Sequence, residues 1–205
     1  MKRWAHFAGR FYPVRKFRID AGAYLLGALA VLLLPLNWLL FAAVAAAVHE
    51  CGHLIALKLC DSECVSIHLG STGATIETEA LSPIKETLCA LAGPIGSFAL
   101  LLFAGWMPRI ALCAAIQGIF NLLPVYPLDG GRVIRGILRI LLRNRSWEVA
   151  ASCIEWLCVG LLIIAAGYCT FIIGTGYLPL MIAAFLVIRV FSRKIPCKDT
   201  QVAVQ

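Results

Sequence analysis

Residues 21–48 carry no charged side chain, and apolar stretches recur at 87–107, 110–125, 149–168 and 170–188. A helix needs about 20 predominantly apolar residues to cross the hydrocarbon core, so each stretch predicts a transmembrane helix. The first is long enough for two, because Pro35 and Asn37 interrupt it and the apolar character continues past Val48 to Leu59. Six spans are expected. Between the second and third the period changes: Val65, Ile67 and Leu69, then Ala74, Ile76 and Thr78, alternate with Ser66, His68, Thr75, Glu77 and Glu79 around Gly70-Ser71-Thr72-Gly73. That two-residue period predicts a strand pair. The fold class expected is an all-α polytopic membrane protein of about six transmembrane helices, with a small β-hairpin at about 64–80. A basic N-terminus before an apolar stretch, with Ala43-Val44-Ala45 inside it, has the outline of a signal peptide, but the stretch is too long and no cleaved leader is expected.

Composition and charge extend this picture. Hydrophobic residues make up 61% of the chain and charged ones 14%, and the mean hydropathy is +0.88, which excludes an ordinary soluble domain. Lys2, Arg3, Arg10, Arg15, Lys16 and Arg18 precede the first span; Arg132, Arg135, Arg139, Arg143 and Arg145 separate the fourth from the fifth; Arg189, Arg193, Lys194 and Lys198 follow the sixth. With six spans these clusters share one side with Lys58 and Lys85, leaving Arg109 opposite. Positive residues are held in the cytoplasm, which predicts a multi-pass cell-membrane protein with both termini cytoplasmic. The expected organisation is a basic cytoplasmic segment at 1–20, a six-span membrane protease domain at 21–191 and a cytoplasmic tail at 192–205. The net charge of +7 then serves topology and contact with the lipid bilayer. No nucleic acid is expected as a partner, since basic residues are not interleaved with aromatics on a soluble face.

The candidate chemistry lies inside these apolar runs. His49-Glu50-Cys51-Gly52-His53 is an HExxH, and on a helix its two histidines fall about 40° apart on one face with Glu50 beside them. Ionisable groups within a span are costly to bury and mark function. A catalytic zinc takes three protein ligands and keeps one open position, so the histidine pair needs a third donor. Asp129 is the candidate: Pro127 and Gly130-Gly131 interrupt the helix around it and allow its carboxylate to be aimed inward. Capping a helix over 131–142 would account for an aspartate there equally well. Glu155, the other carboxylate in a span, is expected to snorkel or pair with an arginine, and His68 to be a surface strand residue. Cysteines stand at 51, 60, 64, 89, 113, 153, 158, 169 and 197, an odd number without the regular spacing of a disulfide framework, and they read as small hydrophobes. Cys60 and Cys64 have no second pair to complete a metal site. Cys51, about 200° from His49, faces away from the metal.

These residues resemble the site-2 protease family of intramembrane zinc metalloproteases. HECGH matches the family's HExxH helix, and Asn121-Leu122-Leu123-Pro124-Val125-Tyr126-Pro127-Leu128-Asp129-Gly130-Gly131 matches its asparagine, proline and LDG signature. The residues from Gly70 to Glu79 and Ala92-Gly93-Pro94 follow in the family's order, so the resemblance covers nearly the whole chain. In detail it is nearest the stage IV sporulation protein FB branch, without that branch's C-terminal regulatory domain. The resemblance implies one zinc per chain on His49, His53 and Asp129, Glu50 as catalytic base, and a substrate contact at Asn121. Many members carry an asparagine shortly after the Gly-Pro of the third span, where this chain has Gly96-Ser97.

An endopeptidase mechanism follows. Zinc activates water and polarises the scissile carbonyl, while Glu50 takes the water's proton and passes it to the leaving amine. Helix breaks at Gly93-Pro94 and at 127–131 are expected to line a water-filled cavity, where Gly93 and Pro94 contact the substrate. An edge strand through Ile76 is expected to hold the unwound substrate by strand addition. The expected substrate is a membrane-associated pro-protein, which the branch resemblance specifies as the pro-form of a sporulation sigma factor; regulatory membrane proteins are possible partners. Two alternative classes remain. A zinc transporter would need further polar ligands along a path, which spans five and six lack. A catalytically inactive binder of membrane segments would keep the fold and lose Glu50 or a ligand, and all four residues are present.

Overall fold

A computed structural model of the chain describes residues 16–19, 24, 28, 31, 32, 35–61, 64–70, 73–78, 81–142, 146–174 and 176–192. Most of the first predicted span, the N-terminal bases other than Lys16 and Arg18, the hairpin turn at 71–72, Arg143, Arg145 and the tail from 193 lie outside the described residues. The chain divides into two compact units, Met1–Asn121 and Leu122–Gln205.

The first unit is built on α1 (Leu36–Leu59), α2 (Pro83–Ala99) and α3 (Pro108–Asn121), with a 3₁₀ turn at Leu100–Phe103 continuing α2. Pro35 sets the start of α1, as the interrupted apolar run predicts. Ser82 caps α2 through its hydroxyl, and Pro83 supplies the first helical residue. The three helices pack against one another through small and polar residues. α1 buries Ala45, His49, His53 and Leu57, one residue per turn; α2 buries Cys89, Ala90, Gly93, Pro94 and Ser97; α3 buries Ala111, Ala114 and Gly118. The large aliphatics point outward, among them Leu40, Ile55, Leu59, Leu88, Ile95, Leu102, Ile116 and Ile119. Small residues inside and large apolar ones outside is the arrangement of helices that meet lipid. α2 runs unbroken through Gly93-Pro94, so the helix break expected there does not occur. The missing Pro94 N–H removes one helical hydrogen bond, and burial of the ring between neighbouring helices offsets that cost.

Between α1 and α2 the chain forms β2 (Cys64–Gly70) and β3 (Gly73–Thr78), paired antiparallel with Ile67 opposite Ile76. A further strand, β1 (Lys16–Ile19), runs parallel to β2 with Phe17 opposite Ile67, giving the sheet order β1-β2-β3. Lys16–Ile19 falls in the segment expected to be basic and cytoplasmic, where no strand is predicted. Its four residues are too few to show a period, and the partner strand that stabilises it lies about fifty residues on.

The second unit holds α4 (Asp129–Leu141), α5 (Ser146–Tyr168) and α6 (Leu178–Ser192). α5 runs on through a π turn at Cys169–Ile173, and Gly174 and Gly176, both at positive φ, end it. The helix expected as the fifth span is therefore longer than expected, and the helix in the stretch expected as the sixth begins at 178 rather than 170. α4 carries Arg132, Arg135 and Arg139 in an otherwise apolar helix. Among the described residues, three helices are long and apolar enough to cross a membrane: Leu36–Leu59, Pro83–Phe103 and Ser146–Ile173.

Candidate metal centre

His49 and His53 lie on the buried stripe of α1, 2% and 7% exposed. Each ring is held from behind. His53 Nδ1 donates to the Cys89 carbonyl oxygen at 2.8 Å, and His49 Nδ1 meets Ser97 Oγ at the same distance. Donation from Nδ1 leaves the His53 Nε2 lone pair facing forward, the tautomer a metal ligand requires. The two Nε2 atoms are 3.3 Å apart, with ring planes at 83°. Two nitrogens on a tetrahedral zinc, each about 2.05 Å from it, are themselves about 3.3 Å apart, so the pair is spaced as zinc would hold it.

Glycines on the facing helix make this arrangement possible. A Cβ at Gly93 would run into His53 Nε2 and Cε1 and come within 2.9 Å of His49 Nε2. Gly93 thus leaves open the space in front of both donors. At Gly52 a Cβ would meet the Ala92 carbonyl group, so only glycine lets α1 approach α2 closely enough for the Cys89 and Ser97 contacts to form. Glu50 is half-buried beside His49. Asn121, at the end of α3, donates from Nδ2 to its own helix at Gln117 O, 3.1 Å away.

In the second unit Asp129 is 7% exposed and is the first residue of α4. The cap position belongs to Leu128, which offers no side-chain hydrogen bond, and Asp129 stands in the first turn. The loop before it folds over the helix start: a Cβ at Gly130 would strike the Leu122 carbonyl, and one at Gly131 the Val125–Tyr126 peptide. The Tyr126–Pro127 peptide is cis. Glu155, buried on α5, fixes this loop by accepting the Tyr126 N–H at 3.0 Å, and it pairs with Arg135 at 3.0 Å. The arginine pairing expected of Glu155 is observed; its hold on the signature loop was not foreseen. Ser97 and the Cys89 carbonyl were also missed. Ser97 had a signal, a hydroxyl one turn from Pro94 in the apolar part of the helix, whereas a main-chain oxygen has none.

His49 and His53 offer two buried imidazole donors, and Asp129, in the second unit, offers a buried carboxylate. Two neutral imidazoles and a carboxylate suit zinc better than magnesium or calcium.

Known proteins fit this picture. The model of Peptidase family M50 matches residues 107–166. A protein of Synechocystis sp. named as a zinc metalloprotease is 33% identical over 127 residues, 53% of this chain and 32% of its own length. A zinc metalloprotease of Methanocaldococcus jannaschii is 30% identical over 109 residues, 46% of this chain and 32% of its own. The chain thus spans less than a third of these curated relatives. The solved site-2 protease of M. jannaschii superposes with a TM-score of 0.64, covering 96% of this chain and 99% of that one at 18% identity. The chain therefore has the site-2 protease fold. Sequence and fold together support membership of the site-2 protease (M50) family; they do not support placement in the sporulation branch.

Proposed function

We propose that the chain is an intramembrane zinc endopeptidase. The observation that carries this reading is the HExxH pair itself: two buried Nε2 atoms 3.3 Å apart, each ring braced at Nδ1, with a glutamate beside them. His49, His53 and Asp129 would hold the zinc. When bound, zinc at such a site supplies Lewis acidity toward water and toward a carbonyl oxygen. Glu50 accepts a proton from the attacking water on its carboxylate and returns it to the departing amine. Ser97 and the Cys89 carbonyl keep the imidazoles from rotating, so both donors stay aimed while the substrate exchanges. The relatives named as zinc metalloproteases support this chemistry.

The substrate we propose is a membrane-associated pro-protein, unwound and held as an added strand on the edge of β3 near Ile76, with Asn121 as a second contact. The sequence resemblance points further, to the pro-form of a sporulation sigma factor. The proposed topology is six spans in the cell membrane with both termini cytoplasmic, resting on the three basic clusters. Membrane-impermeant cysteine probes should then label a site introduced next to Arg109 and miss one next to Arg139; the opposite labelling would reverse the topology.

The mechanism is tested by metal analysis and cleavage together. Glu50→Gln should abolish cleavage and keep one zinc per chain, whereas Asp129→Asn should lower both, since an amide oxygen is a poorer zinc donor than a carboxylate. Turnover in the Glu50 variant, or full zinc affinity in the Asp129 variant, would remove the corresponding assignment.

A further inference from the structure

The end of α1 and the start of α2 are tied at a place the reaction does not use. Lys85 Nζ donates to the Cys60 carbonyl at 2.7 Å, a cation closing off the last carbonyls of a helix. Beside it the Cys60 and Cys89 sulfurs lie 4.0 Å apart, and neither is in a disulfide. Cys89 is buried; Cys60, just beyond the last turn of α1, is half-buried and reachable from outside. Cys89 is also the residue whose carbonyl oxygen holds His53 Nδ1. The pair therefore joins an accessible thiol to the support of a metal-binding histidine.

We propose that Cys60 and Cys89 form an oxidisable dithiol whose closure to a disulfide weakens metal binding at His53; the second half of this rests on the zinc reading above. A disulfide has its sulfurs about 2.05 Å apart, so closure must draw the two together by about 2 Å. Cys60 lies outside the regular helix and takes part of that movement. Cys89 lies within α2 and takes the rest, which turns its peptide carbonyl away from His53. Loss of such a partner behind a ligand histidine lowers metal affinity by about 10- to 100-fold.

Hydrogen peroxide suffices as oxidant. It converts the more accessible Cys60 thiol to a sulfenic acid with release of one water; the Cys89 sulfur then attacks the Cys60 sulfur, the S–S bond forms, and the hydroxyl leaves with the Cys89 proton as a second water. Two electrons pass from the sulfurs to the peroxide oxygens, and no metal is involved.

The test uses the full chain in detergent, loaded with zinc and titrated with peroxide. Non-reducing peptide mapping by mass spectrometry should find a Cys60–Cys89 cross-link. Competition with a chromophoric chelator should show zinc affinity falling at least about tenfold, restored by dithiothreitol. Cys60→Ser should bind zinc normally under reducing conditions and lose both the cross-link and the zinc response. The proposal is overturned if no 60–89 peptide forms at peroxide levels that oxidise added glutathione in the same sample, or if the cross-link forms and zinc affinity is unchanged. Reduced wild type without zinc would remove the metal reading and the switch with it, while the cross-link measurement would still stand on its own.

Discussion

Replacing Glu155 by leucine should destabilise the second unit by about 3 kcal/mol. The carboxylate oxygen Oε1 accepts two hydrogen bonds at 3.0 Å, one from the Tyr126 N–H and one from Arg135. Glu155 keeps 5% of its side-chain surface and Arg135 24%. Removing one member of a buried pair costs about 3–5 kcal/mol, mostly because the other charge is stranded. Arg135 retains a quarter of its surface and stacks on the Tyr126 ring at 4.3 Å, so its stranded charge is partly relieved and the low end of that range applies. Glu155→Gln keeps an oxygen at the Tyr126 N–H and loses only the ionic share, about 1–2 kcal/mol. Arg135→Met added to Glu155→Leu should recover about 1 kcal/mol, because no charge is then left behind. Unfolding in mixed micelles against increasing dodecyl sulfate, followed by circular dichroism, measures these three variants and Arg135→Met alone. A Leu variant as stable as wild type, or a double variant whose loss equals the sum of the single ones, would refute the account of Glu155 as the anchor of the signature loop.

Two other substitutions probe the site and the sheet. Gly93→Ala should leave the chain membrane-inserted and lower zinc affinity by at least about tenfold, since the new methyl occupies the space before both imidazole donors; chelator competition decides it, and wild-type affinity would mean that the histidines meet their metal elsewhere. In β3 the N–H groups of Thr75 and Ile76 point to opposite sides, one into the ladder with β2 and one to the outer edge. Proline at the outward position should therefore cut cleavage several-fold while leaving zinc content and stability near wild type, and proline at the inward position should destabilise the sheet. Equal, normal cleavage by both variants would rule out strand addition at this edge.

The helices were legible because lipid imposes one rule along their whole length: long apolar runs, broken where Pro35 stands. The end of the fifth helix was not, because Thr170 to Ile173 are as apolar as what precedes them, and only the left-handed conformation at Gly174 ends the helix. Pro94 was misread for a related reason. Its effect on a helix depends on what packs against it, and that information lies in α1 and α3. Of the site, His49, Glu50 and His53 could be read from spacing alone, since an i, i+4 pair is a local property. Asp129 is balanced between ligand and cap on spacing alone, and only the resemblance of the 121–131 signature favours a ligand there. Lys16–Ile19 and Ser97 depend on partners far along the chain, and no local pattern announces such pairings.

The two histidines are steadied by different kinds of group, and this makes them unequal before genetics. The brace behind His49 is a hydroxyl side chain that one codon change can delete. The brace behind His53 is a peptide oxygen that every amino acid at position 89 would still supply. A side-chain scan of this centre would therefore report one support and overlook the other. Exposing the hidden support takes an edit to the main chain itself, such as an ester in place of the amide that follows Cys89, which weakens the carbonyl as an acceptor without altering any side chain.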